Sequence, residues 1–202
     1  MNRQARSGAV LVMGAALSLL LPSGAFRGPI ELRANIEGPP DAHTGGFGEP
    51  TCQECHGENA LNVPGGLLGV EGVPTTYEPG ERYRIAVVLQ SGDMERAGFQ
   101  AAFRFNGGEG RGRQAGRLAP IDTKTTVHTS PATGVEFVQH SARGSEMAPG
   151  ALATWTFWWT APRERAAVIL HVAANSANGD NSPLGDLIYT IHETTQAATI
   201  PR

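Results

Sequence analysis

Residues 77–90 read Tyr77-Glu78-Pro79-Gly80-Glu81-Arg82-Tyr83-Arg84-Ile85-Ala86-Val87-Val88-Leu89-Gln90, and their alternation decides the fold class. Pro79-Gly80 marks a turn. Tyr83, Ile85, Val87 and Leu89 then fall on one side of an extended chain, with Arg84, Ala86, Val88 and Gln90 on the other, the period of a strand with one face in a core. The pattern recurs downstream. Phe99, Ala101, Phe103 and Phe105 oppose Gln100, Ala102 and Arg104, and this second strand is expected beside the first. Residues 135–141 read as a short strand. Residues 151–160 place Ala153, Trp155, Phe157 and Trp159 on one side and Trp158 on the other, until Ala161-Pro162 ends the run. Val168, Leu170 and Val172 alternate with Ile169, His171 and Ala173; both faces are apolar, which marks a central strand. Residues 187–191 supply a last one. No stretch keeps a helical period over a useful length, and 26 glycines and 14 prolines punctuate the chain at short intervals. The expectation is an all-β sandwich.

Upstream of this region the chain is of another kind. Arg3 and Arg6 precede an apolar run over residues 9–21, followed by Pro22-Ser23-Gly24-Ala25. This is the pattern of a secretory signal peptide, with an uncleaved anchor as the alternative. The run is too short for a comfortable membrane span, and no longer one follows, so no transmembrane span is expected in the mature chain. Cleavage at residue 25 changes the formal charge from −3 to −5. A mildly acidic chain without a Lys/Arg run excludes nucleic acid as an expected partner. The expected organisation is a signal peptide over residues 1–25, a loop-rich segment over 26–76, the sandwich over 77–192 and a tail over 193–202.

The loop-rich segment holds the only two cysteines, in Cys52-Gln53-Glu54-Cys55-His56. Cys-x-x-Cys-His reads as a covalent haem c attachment site: each thiol adds across one porphyrin vinyl group and the adjacent imidazole becomes the axial iron ligand. Three alternatives compete. A disulfide suits an exported chain, but a bridge over two residues staples little. A thioredoxin-type redox pair wants an α/β setting. Zinc would need ligands from distant histidines. Gly45-Gly46-Phe47-Gly48, just ahead of the motif, is read as an approach loop.

Several segments together resemble a known family. Tyr77-x-Pro79-Gly80-x-x-Tyr83, Ala97-Gly98-Phe99-Gln100, Gln139-His140, Trp155-x-Phe157-x-Trp159-x-Ala161-Pro162 and His171-Val172-Ala173-Ala174-Asn175 resemble the Reeler (reelin N-terminal-like) domain. The likeness is greater to bacterial exported members that carry a Cys-x-x-Cys-His motif ahead of it. It spans positions 42–190 and implies an immunoglobulin-like β-sandwich. Animal Reeler domains carry disulfides, and here no cysteine remains for one if both hold haem. Their adhesive roles are not carried over.

If Cys52 and Cys55 anchor one haem c and His56 is an axial ligand, the sixth iron position sets much of the behaviour. Met94 and His140 are the candidates, His140 having a structural hydrogen-bonding role as its alternative; an open site is the third case. Met147, His43, His128, His171 and His192 complete the methionines and histidines beyond the signal region. Asn178-Gly179-Asp180-Asn181-Ser182-Pro183 with Asp186 offers oxygen ligands for calcium, but lacks EF-hand spacing and reads equally as turns. With no catalytic constellation in view, the expected function is a monohaem electron carrier of the periplasm or cell exterior, working between redox protein partners. A haem-bearing binding or sensing module and a haem enzyme with an open iron site are the alternatives.

Overall fold

The computed structural model describes residues 35–146 and 152–199. The expected signal peptide and Met147 lie outside these residues. In chain order the strands are β1 (Gly66–Glu71), β2 (Thr76–Tyr77), β3 (Arg82–Ser91), β4 (Arg96–Phe105), β5 (Arg117–Pro120), β6 (Thr125–Thr129), β7 (Glu136–His140), β8 (Leu152–Thr160), β9 (Val168–Ala177) and β10 (Leu187–Ala197), with a one-turn helix α1 (Ala142–Ser145) between β7 and β8. They form two sheets, a four-stranded one in the order β1-β3-β8-β5 and a six-stranded one in the order β2-β10-β9-β4-β7-β6. Pairings are antiparallel except β2 with β10. The chain is an all-β sandwich. Among the described residues no helix is long and apolar enough to cross a membrane.

The alternation seen in the sequence builds the interior. Register sets Ile85 opposite Phe157, Val87 opposite Trp155 and Tyr83 opposite Trp159, so one face of β3 and β8 is apolar. From the other sheet Phe99 stacks on Trp155 at 4.6 Å and Phe103 on Trp159 at 4.2 Å. The indole N–H groups donate to Gly144 O and Ala115 O, which removes the cost of burying them. Trp158 points outward beneath the Arg82 guanidinium, 4.5 Å above its ring.

Three expectations change. β4 is not the neighbour of β3; the two lie in different sheets. A two-residue period says which side chains share a face, and strands facing each other across a core carry the same pattern as strands lying side by side. The segment expected as loop-rich also contains β1, paired along its full length with β3. Its glycines and exposed Leu67 obscure the period of an edge strand. Finally β10 runs to Ala197, so the sandwich extends on both sides of residues 77–192. The expectation that β9 is central holds: it lies between β4 and β10.

Gln100, Ala102 and Arg104, on the outward face of β4, are as buried as its inner face. The reason is a strap. Residues 35–62 cross the outer face of the six-stranded sheet and hydrogen-bond to it repeatedly. The His43 N–H donates to Gln100 Oε1 at 2.7 Å, and Gln100 Nε2 donates to Pro40 O at 2.9 Å and to Gln139 Oε1 at 3.0 Å. Ala42 packs against Ala102, Val135 and Phe137. Further along, the Asn62 N–H donates to Ile188 O. The sandwich thus holds the Cys-x-x-Cys-His segment against one sheet.

Candidate functional site

The motif forms one helical turn. The Thr51 hydroxyl caps it by accepting from the Gln53 N–H at 3.1 Å. The N–H groups of Cys55 and His56 both donate to Cys52 O, at 3.3 and 3.0 Å. Residues three and four apart on such a turn share a face. Cys52 stands in that relation to Cys55, three residues on, and to His56, four residues on. Gly57 follows because a Cβ there would sit 2.9 Å from Gln53 O.

Both thiols are free and partly accessible. Burial pushes the Cys52 thiol up to about 12; its own backbone hydrogen bond opposes this, and Cys55 adds to it. Among the described residues no group of three or more His, Cys, Asp or Glu side chains is placed to hold a metal ion.

His56 is oriented from the sheet side. Its Nδ1 lies 2.6 Å from Asp186 Oδ2. Asn175 Nδ2 lies 3.3 Å from the same ring nitrogen and 3.2 Å from Asp186 Oδ2. One tautomer suits these distances: Nδ1–H donates to the carboxylate, and Asn175 donates to that carboxylate as well. Among the described residues Nε2 has no hydrogen-bond partner. Asp186 is 1% exposed. Its Oδ1 accepts from the Asn178 N–H at 3.2 Å, and its carbonyl accepts from Asn59 Nδ2 at 3.0 Å. The sequence reading missed Asp186 and Asn175 as parts of this site. Asn175 closes one of the segments resembling a Reeler domain, and that was the available signal.

The candidate sixth ligands are engaged elsewhere. Met94 is buried in the cluster between the sheets. His140 accepts the Phe99 N–H at Nδ1, 3.0 Å away, and its Nε2 lies 3.2 Å from Asn35 O; the structural role is the one observed. His43 is also committed, with Nδ1 at 3.1 and 3.0 Å from the carbonyls of Pro40 and Asp41 and Nε2 2.6 Å from Glu54 Oε2. It ties the motif turn to the strap. Of the residues weighed for calcium, Asp186 faces His56 and Asp180 accepts from the Ser182 N–H and from Asn178 Nδ2; these are turn contacts.

Ahead of the motif the approach loop makes a close contact. A Cβ on Gly46 would lie 2.5 Å from His171 Cγ, so only glycine lets the strap reach β9 there. Phe47 adopts φ 56°, a costly conformation for an aromatic residue. It is held by His171 edge-on at 5.3 Å and by the guanidinium groups of Arg104 and Arg111 at 5.0 and 4.9 Å.

His171 gives the site a pH dependence. Burial pushes its ring down to about 4, with the charges of Arg104 and His192 adding to the effect and Glu49 opposing it. Burial lowers His140 as well. The unfolded chain binds these protons near the ordinary value of 6.5, the folded chain only at lower pH. Stability is therefore complete above 6.5 and drains as pH falls from 6.5 towards 4. The urea midpoint is expected to drop across that interval, and His171→Gln to flatten the drop; an unchanged slope in the variant would contradict the assignment.

No family model matches the chain, and no curated protein matches it. Among solved structures the Reelin-N domain of F-spondin is similar at a TM-score of 0.46 and 18% identity, covering 73% of this chain and 97% of that one. The human F-spondin reeler domain (fragment 1) has a TM-score of 0.43 at 22% identity, covering 68% and 95%. A cohesin module from Clostridium perfringens has a TM-score of 0.44 at 11% identity, covering 67% and 98%. The sandwich itself rests on the chain's own strand pairing.

Proposed function

We propose that this is an exported c-type haem protein that carries single electrons, built as a Reeler-type sandwich with a haem-bearing strap. One observation carries the reading: on one helical turn with two free thiols, His56 has its Nδ1 tied to Asp186 and, among the described residues, no partner at its Nε2. The donor set fits a covalent haem. Cys52 and Cys55 would anchor it through thioethers, and His56 would ligate the iron through Nε2. When bound, the haem supplies a one-electron couple. The chain supplies the clip, the fixed tautomer and a rigid sheet behind it. Residues 1–25, read as a signal peptide, support a periplasmic or secreted location, where such attachment takes place. The Reeler reading draws support from where its segments lie: Gln100 and His140 hold the strap, Gln139 anchors Gln100, and Asn175 holds the Asp186 carboxylate that faces His56.

A second reading, an iron with an exchangeable sixth ligand, is favoured by the engagement of Met94 and His140 elsewhere. Absorption spectra of the purified holoprotein in both oxidation states separate the two. A carrier cycles reversibly with chemical mediators and consumes no added peroxide. Steady peroxide turnover, or a spectrum changed by cyanide or carbon monoxide at low concentration, would overturn the carrier reading in favour of the second.

A further inference from the structure

We propose that Asp186 is a positioning residue that lowers the reduction potential of the iron held by His56. The inference rests on the haem reading above and deepens it. Asp186 is a nearly inaccessible carboxylate whose one ion-pair partner among the described residues is His56. Burying a carboxylate is costly unless it is paired and hydrogen-bonded. If holding the ring were all that was needed, a neutral acceptor would do it without that cost.

The placement is over-determined. Asp186 stands just before β10 and is fixed by Asn178 from the preceding turn, by Asn175 from β9 and, at its carbonyl, by Asn59 from the strap. Three separate parts of the chain therefore set the 2.6 Å contact with His56. A carboxylate at the far nitrogen of a ligating histidine makes the imidazole a stronger donor, and hydrogen bonding of this kind is a recognised lever on potential. Added negative charge stabilises the more positive, oxidised iron. One electron enters or leaves in each cycle; the proton remains on Nδ1 in both forms, and no bond of the chain forms or breaks. Asn175 has the opposite effect, since by donating to Asp186 Oδ2 it draws charge away from His56.

The test is a potentiometric titration of the full holoprotein and two variants, made with c-type maturation. Asp186→Asn keeps the volume and removes the charge. It is expected to shift the reduced-to-oxidised ratio at fixed potential at least tenfold towards reduced, about 59 mV for a one-electron couple. Asn175→Ala is expected to shift the ratio the other way. Opposite signs are what a merely structural role would not give. Shifts of the same sign, or two haem-loaded variants that titrate with the wild type, would overturn the inference. If Asp186→Asn does not fold, Asn175→Ala decides alone: a shift towards oxidised supports the inference, and no shift or the reverse sinks it. A wild-type protein whose mass shows no haem would instead remove the proposed function.

Discussion

Trp159→Ala is expected to lower the unfolding free energy by about 3–5 kcal/mol, the range for removing a large aromatic side chain from a packed core. Trp159 is fully buried, stacks on Phe103 with 6° between the planes and meets Tyr77 edge-on at 5.6 Å. The substitution opens a cavity between the sheets. It also strands Ala115 O, which accepts from the indole N–H at 2.9 Å. Tyr77 is pinned on its other side, its hydroxyl lying 2.8 Å from the carbonyl oxygens of both Glu164 and Ala166, which share its one proton, so it cannot swing in to fill the gap. Urea unfolding followed by tryptophan fluorescence measures the effect as a lower midpoint at unchanged slope. Trp158→Ala is the control. It removes an outward ring under Arg82 and is expected to cost about 1 kcal/mol. Equal losses in the two variants would contradict the assignment of the aromatic stacks to the interior.

The second large effect is expected at the strap. Arg104 is 3% exposed and lies on the face of β4 that the strap covers. Its Nη2 is 2.5 Å from Glu49 Oε2 and 3.0 Å from the Thr44 hydroxyl, which itself donates to Glu49 at 2.6 Å. Glu49→Gln leaves a guanidinium buried against a neutral amide. Breaking a buried pair from one side costs about 3–5 kcal/mol, most of it the uncompensated charge. The loss is expected to fall first on strap docking, so protease cleavage within residues 41–50 should precede global unfolding. Combining Glu49→Gln with Arg104→Met removes the stranded charge and is expected to recover much of the loss. A double variant no better than Glu49→Gln alone would contradict a buried ion pair here.

These contacts show what could be read from the chain beforehand. The long strands were legible, because β3, β8 and β9 bury one face or both under a plain alternation of apolar residues. Short edge strands were not. β6, Thr-Thr-Val-His-Thr, offers one aliphatic side chain, and its pairing with β7 is settled by the neighbour rather than by its own sequence. Gln100 and Arg104 look like a solvent face locally. They are buried because a segment some 60 residues earlier folds over them, and they are polar because that segment brings backbone carbonyls and Glu49 to meet them. At the candidate site, the Cys-x-x-Cys-His spacing of Cys52, Cys55 and His56 was legible because one turn of chain carries all three. Asp186 was not: its turn, rich in Asn and Asp, reads as loop chemistry, and only the sheet brings it to His56. Met94 and His140 were chosen for their side-chain chemistry, which carries no information about where the fold would place them.

The most direct measurement is the intact mass of the denatured, purified protein made in a host with c-type maturation, beside a Cys52→Ala/Cys55→Ala variant. The wild type is expected to carry the mass of one haem above its mature chain and to stain for haem after denaturation, with the modification mapping to the peptide that contains residues 52–56. The double variant is expected to carry none. A wild-type mass equal to the bare chain, with no stain, would contradict the assignment of Cys52, Cys55 and His56 as a haem site.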